Sequence, residues 1–550
     1  MSDAEDKIEK IEHEQEEKLA QQIAKVNSLT YLSPIQAHFP LPLITREEAQ
    51  AAEAAVIKKK DDGEIYLVVK NPKNEKTQNL VKKLESEYEK VTLFVVSEPT
   101  FNTLIENYPA EIEKKPVPLT QEINITDSNL SDFIQKKTTI TKLGEDLKNI
   151  SKVDTSKALE ALLSGAIALR ATDIHIEPQE NTVIVRVKID GILYEVAQFE
   201  EHLYKLILSR IKLLSDLKLN IHDEAQEGNF SIKYKDREIE IRSSVLPSQY
   251  AEDVALRILD PKALLSLPEL GIREDLFKIL KKYLSVPQGL ILVTGPTGSG
   301  KTTTLYACIN FIKREAEKII TIEDPIEYHL DGITQTEVNE DENYTFASGL
   351  KAILRQDPDT IIISELRDIE SAEPTLQAAL AGRKVFSTLH TIDAAGTAPR
   401  LIDMGAEPPV VSSALLVSVS QRLVRKLCND CKKKRTPTKD EFKFLSDALG
   451  EIPKTASTPS LNKKTGVYSS NKEGCIKCGG TGYMGRIGIF ELFTASKKVR
   501  DKIEQSPTED EMREIMKEQG ETNMVQDAVI KILEGTTSIE EVERVFGELI

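Results

Sequence analysis

The chain has 550 residues, 40% apolar and 29% charged, with a formal net charge of −17, and its length indicates roughly three to five domains. The acidic balance argues against direct nucleic-acid binding, which requires a basic surface. The longest apolar stretches fall short of the roughly 20 residues that span a bilayer, and the acidic N-terminus is unlike a signal peptide, so we expect a cytoplasmic protein that reaches a membrane through a partner.

The segments before the second domain carry no catalytic pattern. Residues 1–29 predict a charged helix, either solvated and partly frayed or docked on a partner. Residues 30–110 alternate helix-like and strand-like segments and predict a small α/β domain, in which Ile44 to Lys59 is interpreted as helix. Residues 111–153 are rich in proline and polar side chains and are interpreted as a linker.

A second domain, residues 154–262, combines helical patterns with alternating strand patterns and predicts an α+β module. Arginines recur at its strand positions: Arg186, Arg242 and Arg257. They are either an ordinary solvated face or a set of guanidinium groups that reach a phosphate held by a neighbouring chain.

The segment GLILVTGPTGSGKTTT matches a complete phosphate loop between a strand pattern and a helix pattern. Its glycines let successive backbone N–H groups face one anion, and the following helix begins there with its positive end. Lys301 is expected to reach the β- and γ-phosphates of ATP, and the Thr302 hydroxyl to bind Mg²⁺. The predicted nucleotide-binding residues are Gly295, Pro296, Thr297, Gly298, Ser299, Gly300, Lys301, Thr302 and Thr303.

Later strand patterns of the predicted motor domain, residues 263–427, end in polar side chains. EDPIE supplies Glu323, Asp324 and Glu327, the run TIIIS precedes Glu365, and KVFSTLH ends at His390. Parallel strands deliver such residues to the ligand edge of a sheet. A carboxylate there can orient or deprotonate water, and a second one can bind Mg²⁺. Taken alone, His390 would more often be a core histidine, but this setting favours a sensor of the phosphate or of a neighbouring subunit.

Four cysteines, Cys428, Cys431, Cys475 and Cys478, form two CxxC pairs in residues 428–480. Such pairs predict structural Zn²⁺ with all four positions filled by protein, while an iron–sulfur cluster or a redox role are the alternatives. Cys308 is interpreted as a small buried hydrophobe. Residues 481–550 predict a C-terminal helical region.

Together and in this order, the phosphate loop, EDPIE, SELRD, STLHT and the two CxxC pairs resemble the type II secretion and type IV pilus assembly ATPases, over about Asp154 to Val545. The resemblance implies a RecA-like P-loop ATPase domain of the α/β class. A smaller α+β, PAS-like domain and an N-terminal α/β module would precede it, with a zinc-knuckle insertion and C-terminal helices. It also implies a homo-hexamer that uses ATP, Mg²⁺ and structural Zn²⁺ and drives an inner-membrane platform protein.

By the same resemblance, Glu327 matches the catalytic glutamate, Glu365 the Walker B acid that binds magnesium with Thr302, and STLHT the histidine box with His390. Arg186, Arg242 and Arg257 fall in segments like those that carry nucleotide-reaching arginines. Retraction motors of this class normally lack both the knuckles and the long N-terminal extension, which favours pilus extension or secretion.

Several positions depart from the family pattern. Ser364 stands in place of the usual glycine before the Walker B acid, Arg383 in place of a histidine, Ile392 in place of an asparagine, and Asn229 in place of an arginine. The alternative function is therefore a degenerate, ATP-binding scaffold of the same machinery. A nucleic-acid translocase is disfavoured by the acidic charge.

Overall fold

The computed structural model describes residues 3–33, 40–41, 43–44, 46–60, 64–88, 90–106, 108, 122–123, 138–150, 155–234, 237–261, 265–452, 458–459, 461–462 and 465–548. Most of the predicted linker lies outside these ranges. The chain divides into two compact units, Met1–Thr120 and Gln121–Ile550.

The first unit has a four-stranded sheet in the order β1-β4-β3-β2, in which β2 alone is antiparallel to its neighbour. Its elements are α1 Asp3–Val26, β1 Thr30–Tyr31, α2 Arg46–Ala52, β2 Ala54–Lys59, β3 Glu64–Val69, α3 Glu75–Glu87, β4 Lys90–Val95 and α4 Glu98–Glu106. The N-terminal helix is thus continuous, and its second half packs on this unit, because Ala20 and Ala24 are buried in the unit's core.

The prediction of helix from Ile44 to Lys59 was wrong in its second half, where β2 pairs with β3. Glu53 separates the two elements with a φ of 49°, a left-handed conformation that ends α2. Its carboxylate accepts a hydrogen bond from Asn74 Nδ2 at 3.2 Å. Alanine favours helix, but here Ala54 and Ala55 are fully buried in a sheet, and tertiary burial overrides that propensity.

The second unit begins with an α+β module that has its own core. Its seven-stranded sheet, in the order β5-β9-β10-β11-β6-β7-β8, is antiparallel except for the pair β5–β9. The elements are β5 Glu122–Ile123, α5 Ile140–Ile150, α6 Thr155–Ala168, β6 Ala171–Pro178, β7 Val183–Ile189, β8 Ile192–Phe199, α7 Glu201–Leu214, β9 Gln226–Tyr234, β10 Arg237–Pro247 and β11 Glu252–Leu259. Strands such as β7 alternate buried and half-buried residues, so one sheet face carries the polar side chains.

The motor domain is a seven-stranded sheet in the order β14-β13-β15-β16-β12-β17-β20, parallel except for β20. Its helices are α8 Glu274–Leu284, α9 Lys301–Ile312, α10 Phe346–Leu354, α11 Ile369–Leu380, α12 Thr397–Asp403 and α13 Pro408–Ala414. Its strands are β12 Gly289–Thr294, β13 Ile319–Glu323, β14 Thr334–Glu337, β15 Thr360–Ile363, β16 Lys384–Leu389, β17 Leu415–Leu427 and β20 Tyr483–Thr494. Leu290 and Leu292 enter the core on one face of this sheet and Ile291 the core on the other, as expected for a parallel sheet covered on both sides.

The region predicted as C-terminal helices begins with β20, the edge strand of the motor sheet, which the sequence analysis did not predict. The remaining elements are β18 Lys433–Arg435, α14 Lys439–Gly450, β19 Val467–Ser469, α15 Lys497–Ile503, α16 Glu509–Glu518, α17 Met524–Leu533 and α18 Ile539–Phe546. Strand β17 pairs with β12 only as far as Ser420, but with β20 as far as Leu427. Residues 421–427 and 483–490 therefore form a hairpin arm that extends past the other strand ends.

Candidate nucleotide and metal sites

The phosphate loop follows β12 and leads into α9, as its sequence predicts. Gly295, Gly298 and Gly300 have φ values of 144°, 76° and 88°, which strain any residue with a Cβ atom. The Lys301 ammonium lies inside the loop and donates to the carbonyl oxygens of Gly295 at 3.0 Å and Pro296 at 3.3 Å. Burial lowers the pKa of Lys301, and the negative charge of Glu365 partly offsets this effect. The loop thus has the backbone form that suits a bound phosphate.

Ionisable side chains form a continuous series across four adjacent strand ends. Lys301 Nζ lies 3.5 Å from His390 Nε2, which lies 3.2 Å from Glu365 Oε1. The other oxygen of Glu365 is 3.5 Å from Arg367 Nε, and Arg367 Nη2 is 3.2 Å from Asp324 Oδ2. Since β13, β15, β16 and β12 are neighbours in the sheet, these side chains follow the order of the strands. The sequence analysis named Asp324 but gave no role to Arg367.

Glu327 lies close enough to Thr302 for the hydroxyl of that residue to favour the ionised carboxylate. Burial raises the pKa of Glu327, and the charges of Arg257 and Arg242 act in the opposite direction. Arg242 Nη2 also donates to the carbonyl oxygen of Ile326. The α+β module therefore brings Arg242 into contact with the EDPIE segment of its own chain. Arg257 forms an ion pair with Asp173 at 3.1 Å, and its charge acts on Glu327 from there.

The third predicted arginine lies elsewhere on the same sheet face. Arg242 and Arg257 are cross-strand partners, whereas Arg186 is opposite His175 and forms an ion pair with Glu177. Asn229 is the cross-strand partner of Arg242 on its other side. The structure thus brings two of the three arginines to Glu327, and the substituted position lies directly beside them.

Glu323, to which the sequence analysis assigned no specific role, is a buried carboxylate that holds α9, the helix after the phosphate loop. Glu323 is 2% exposed and accepts hydrogen bonds from the Tyr306 hydroxyl, from Thr321 Oγ1 at 2.6 Å and from Gln335 Nε2 at 2.9 Å. Tyr306 lies on α9. Because three donors satisfy this buried carboxylate, its geometry fits anchoring of α9 to β13.

Three departures from the family pattern leave the contacts described above in place. Ser364 is half-buried, its φ is not among the positive values, and its carbonyl accepts from Thr388 Oγ1 at 2.6 Å. Arg383 pairs with Asp357 at 2.6 Å and precedes β16, whereas His390 follows that strand. A strand of six residues separates its ends by roughly 20 Å, so Arg383 is remote from the nucleotide edge. Ile392 is 69% exposed beyond His390.

The four predicted cysteines converge at the tip of the hairpin arm, with all sulfur atoms within 4.8 Å of one another. The closest sulfur pairs are 3.7, 3.8 and 4.0 Å apart. These distances are too long for disulfides and fit the separation of about 3.8 Å expected around one tetrahedral ion with 2.3 Å metal–sulfur bonds. Burial raises the pKa of the Cys478 thiol, but surrounding backbone N–H groups outweigh burial and lower it to about 7.

Contacts with the α+β module surround this tip. The Gly485 N–H donates to Asp190 Oδ2 at 2.9 Å, and Arg425 Nη1 donates to the Tyr194 hydroxyl at 3.3 Å. The Ile140 N–H donates to the Gly479 carbonyl oxygen, within the second knuckle, at 3.1 Å. The arm thus joins the α+β module to the motor sheet.

A parallel sheet covered by helices, with a glycine-rich phosphate loop after one inner strand and charged residues at the neighbouring strand ends, defines a RecA-like P-loop ATPase. The family model described as "Type II/IV secretion system protein" matches residues 150–544, and the chain belongs to this family. It is accordingly an ATPase of a secretion or pilus machinery, which implies ATP and Mg²⁺ as cofactors.

Similar proteins support the same assignment. The type II secretion system protein E of Pseudomonas aeruginosa is 43% identical over 393 residues, covering 71% of this chain and 75% of that protein. The type II secretion system ATPase E of Vibrio cholerae is 37% identical over 454 residues, covering 81% and 87% respectively. The structure of the ATPase DotB of Legionella pneumophila has a TM-score of 0.50 at 20% identity, over 70% of this chain and 94% of that one, and shows the shared fold. Among the helices of the described residues, none has the length and hydropathy to cross a bilayer.

Proposed function

We propose that this chain is a hexameric motor that hydrolyses ATP to drive type II secretion or pilus extension through an inner-membrane platform protein, at the cytoplasmic face of that membrane. The similarity to proteins named for type II secretion supports the process. The cysteine cluster and the N-terminal unit favour extension or secretion over retraction. No direct nucleic-acid partner is proposed, because the chain is acidic.

In the proposed site, backbone N–H groups of the phosphate loop, including that of Gly300, hold the β- and γ-phosphates within residues 295–303. Lys301 moves from the loop carbonyl oxygens, which hold it in the structure, to the phosphate oxygens. Thr302 and Glu365 would hold Mg²⁺, which supplies neutralisation of the charge that develops on the phosphoryl group. His390, in contact with Glu365 and close to Lys301, would register the γ-phosphate.

Glu327 is proposed as the general base that takes a proton from the attacking water. Burial raises the pKa of Glu327, so this pKa lies closer to neutral pH than that of an exposed glutamate, which suits proton transfer. Arg242 and Arg257 would stabilise negative charge in the transition state. Within one chain, Arg242 contacts Ile326 and the charges of both arginines act on Glu327. This supports action on the chain's own site, and we propose it in place of action on a neighbour.

The four cysteines would hold one structural Zn²⁺ at the tip of the hairpin arm. All four positions of a tetrahedral ion would be filled by thiolates, so this metal would have no open position for catalysis. Its proposed role is to close the base of the insert between the two knuckles.

The observation that carries this proposal is the series of contacts from Lys301 through His390 to Glu365, beside a Glu327 carboxylate that lies near Thr302. A scaffold that had lost turnover would not need all these groups together.

Steady-state hydrolysis by the wild type, Lys301→Ala and Glu327→Gln tests the proposed activity. We expect each variant to lose at least about a hundredfold in kcat, as general bases and phosphate ligands typically contribute that much. Glu327→Gln should retain nucleotide affinity, since only the base is removed. Equal background rates in all three proteins would instead establish the ATP-binding scaffold.

The assembly is tested by the dependence of specific activity on protein concentration, which should rise as hexamers form. Mixing Arg242→Ala chains with Lys301→Ala chains should restore no activity, because each chain then lacks one residue of its own site. Recovery of activity in the mixed assembly would place the arginine on a neighbour's nucleotide. A monomeric mass together with a specific activity that does not depend on protein concentration would contradict the proposed hexamer.

A further inference from the structure

Gln421 contacts the phosphate loop from the neighbouring strand, outside every motif identified in the sequence. Strand β17 pairs with β12 up to Thr294 and Ser420, and Gln421 is the next residue, at the root of the hairpin arm. Its side chain is 1% exposed. Nε2 donates to the Ser299 carbonyl oxygen at 2.7 Å, and Oε1 accepts from Thr304 Oγ1 at 2.5 Å. One amide therefore connects the loop to the first turn of α9.

The two hydrogen bonds fix the orientation of this amide. The Ser299 carbonyl can only accept a hydrogen bond, so the amide nitrogen must face it, and the Thr304 hydroxyl then donates to the amide oxygen. In a planar trans peptide the N–H points opposite to the C=O. Holding the Ser299 carbonyl towards Gln421 therefore directs the Gly300 N–H away from β17, as a phosphate-binding loop requires.

The close packing of Gln421 against the loop also requires glycine at two loop positions. A Cβ at Gly295 would lie 2.5 Å from the Gln421 carbonyl oxygen, and a Cβ at Gly300 would lie 2.7 Å from its Nε2. The glycines thus provide the positive φ values of the loop and also the space for Gln421.

We propose that Gln421 is a positioning residue for nucleotide binding, which holds the Ser299–Gly300 peptide in the orientation that receives the phosphates. This inference rests on the proposed role of residues 295–303. Gln421 itself touches no phosphate and acts through the loop backbone.

Two substitutions at Gln421 test this role in the full-length protein. Gln421→Leu removes both hydrogen bonds at nearly constant volume, and Gln421→Glu keeps the acceptor for Thr304 but places a carboxylate against the Ser299 carbonyl. Titration with a fluorescent ADP analogue and Mg²⁺ should give a Kd about tenfold higher for the Leu variant, equivalent to about 1.4 kcal/mol, and a larger increase for the Glu variant. KM for ATP should rise in parallel, while kcat per folded protein falls less than threefold.

Ser418→Ala is the matched control, because Ser418 is another buried polar residue of β17 whose hydroxyl pairs with Thr397 at 2.7 Å, away from the loop. It should leave Kd and KM unchanged. If Gln421 had only a structural role, its variants would lower the folded fraction while KM stayed constant. Thr304→Val, which removes only the bond that orients the amide, should raise Kd as well, and provides the test if Gln421→Leu does not fold.

A Kd and KM within twofold of wild type for both Gln421→Glu and Thr304→Val would overturn this inference. Lys301→Ala separates that result from failure of the proposed site. If Lys301→Ala abolishes binding while the Gln421 variants are unaffected, only the positioning role is lost. If the wild type itself binds no nucleotide, the proposed function fails and this inference with it.

Discussion

The ionisation of Glu327 reflects two opposing effects at the scale of single residues. Burial raises its pKa above the ordinary 4.5, and the charges of Arg257 and Arg242 restrain that rise. A general base acts only when ionised, so activity should fall as pH decreases through this raised pKa. The acid limb of kcat/KM is therefore expected above the ordinary range of a glutamate.

Arg257→Gln should move this acid limb to still higher pH, because it removes a positive charge that favours the carboxylate. The Arg257 side chain is 64% exposed, so solvent screens its charge and the expected shift is small. Arg257→Lys, which keeps the charge, should restore most of the profile. The measurement is kcat/KM between pH 5 and 8, and Arg383→Gln, paired with Asp357 at the opposite sheet edge, is the control. An unchanged limb in Arg257→Gln would show that this charge does not act on the base.

At the same scale, the sequence predicts residues whose type alone determines their chemistry. The phosphate-loop glycines, Lys301 and the strand-end acids are recognisable because a parallel sheet places strand ends together. Arg367 and Gln421 could not be assigned, since each depends on an element distant in sequence: Asp324 for the first and Ser299 for the second. Which of three strand arginines reaches Glu327 depends on cross-strand register, which the sequence pattern leaves open.

The hairpin arm is the element whose stability should depend most on metal. Its tip carries the four cysteines, and the knuckle contacts the α+β module through Gly479 and Ile140. Without an ion, four thiol groups lie close together with weak hydrogen bonds to one another, and metal binding supplies folding free energy to such sites. The arm should therefore loosen when the metal is removed.

Metal analysis of the full chain should find about one zinc per protein, and a chelator should lower the thermal midpoint by several degrees, since about 1 kcal/mol corresponds to roughly 2–4 °C in a domain of 150–250 residues. Cys475→Ser should lose the zinc and lower the midpoint similarly. Cys308→Ala is the matched control, because Cys308 is buried on α9 and belongs to no cysteine cluster among the described residues; it should keep its zinc. A wild-type protein that is stable without bound metal would contradict the proposed zinc site.

Elements were predictable where the local pattern and tertiary environment agree. Strands β13 and β15 combine β-branched residues with complete burial and were read correctly from the sequence. Strand β2 was misread because its alanines favour helix, and β20 was missed because its partner, β17, is separated from it by the cysteine region. Long-range pairing of this kind leaves little signal in a single sequence.

At the scale of the whole molecule, the two units have separate hydrophobic cores and separate sheets. The sequence analysis divided the N-terminal region at residue 110 because of its composition, whereas the two compact units of the structure meet at Thr120. Composition predicts a boundary of this kind because a segment with few apolar residues cannot form a core. Composition did not predict strand β20. The region predicted as C-terminal helices contributes this edge strand to the sheet of the motor domain.

Because each unit has its own core, a chain that begins at residue 121 should fold and keep its nucleotide site. We expect its Kd for ADP with Mg²⁺, its zinc content and the thermal transition of the motor to match those of the full-length protein, within twofold for Kd. Lys301→Ala in the same truncated chain provides the control for specific binding. Among the described residues, those named around the loop, including Glu327, Arg242 and Gln421, belong to the second unit and stay in the truncated chain. A truncated chain that is folded and zinc-loaded, yet binds nucleotide much more weakly, would show that the first unit contributes to the site and that the boundary at Thr120 is structural without being functional.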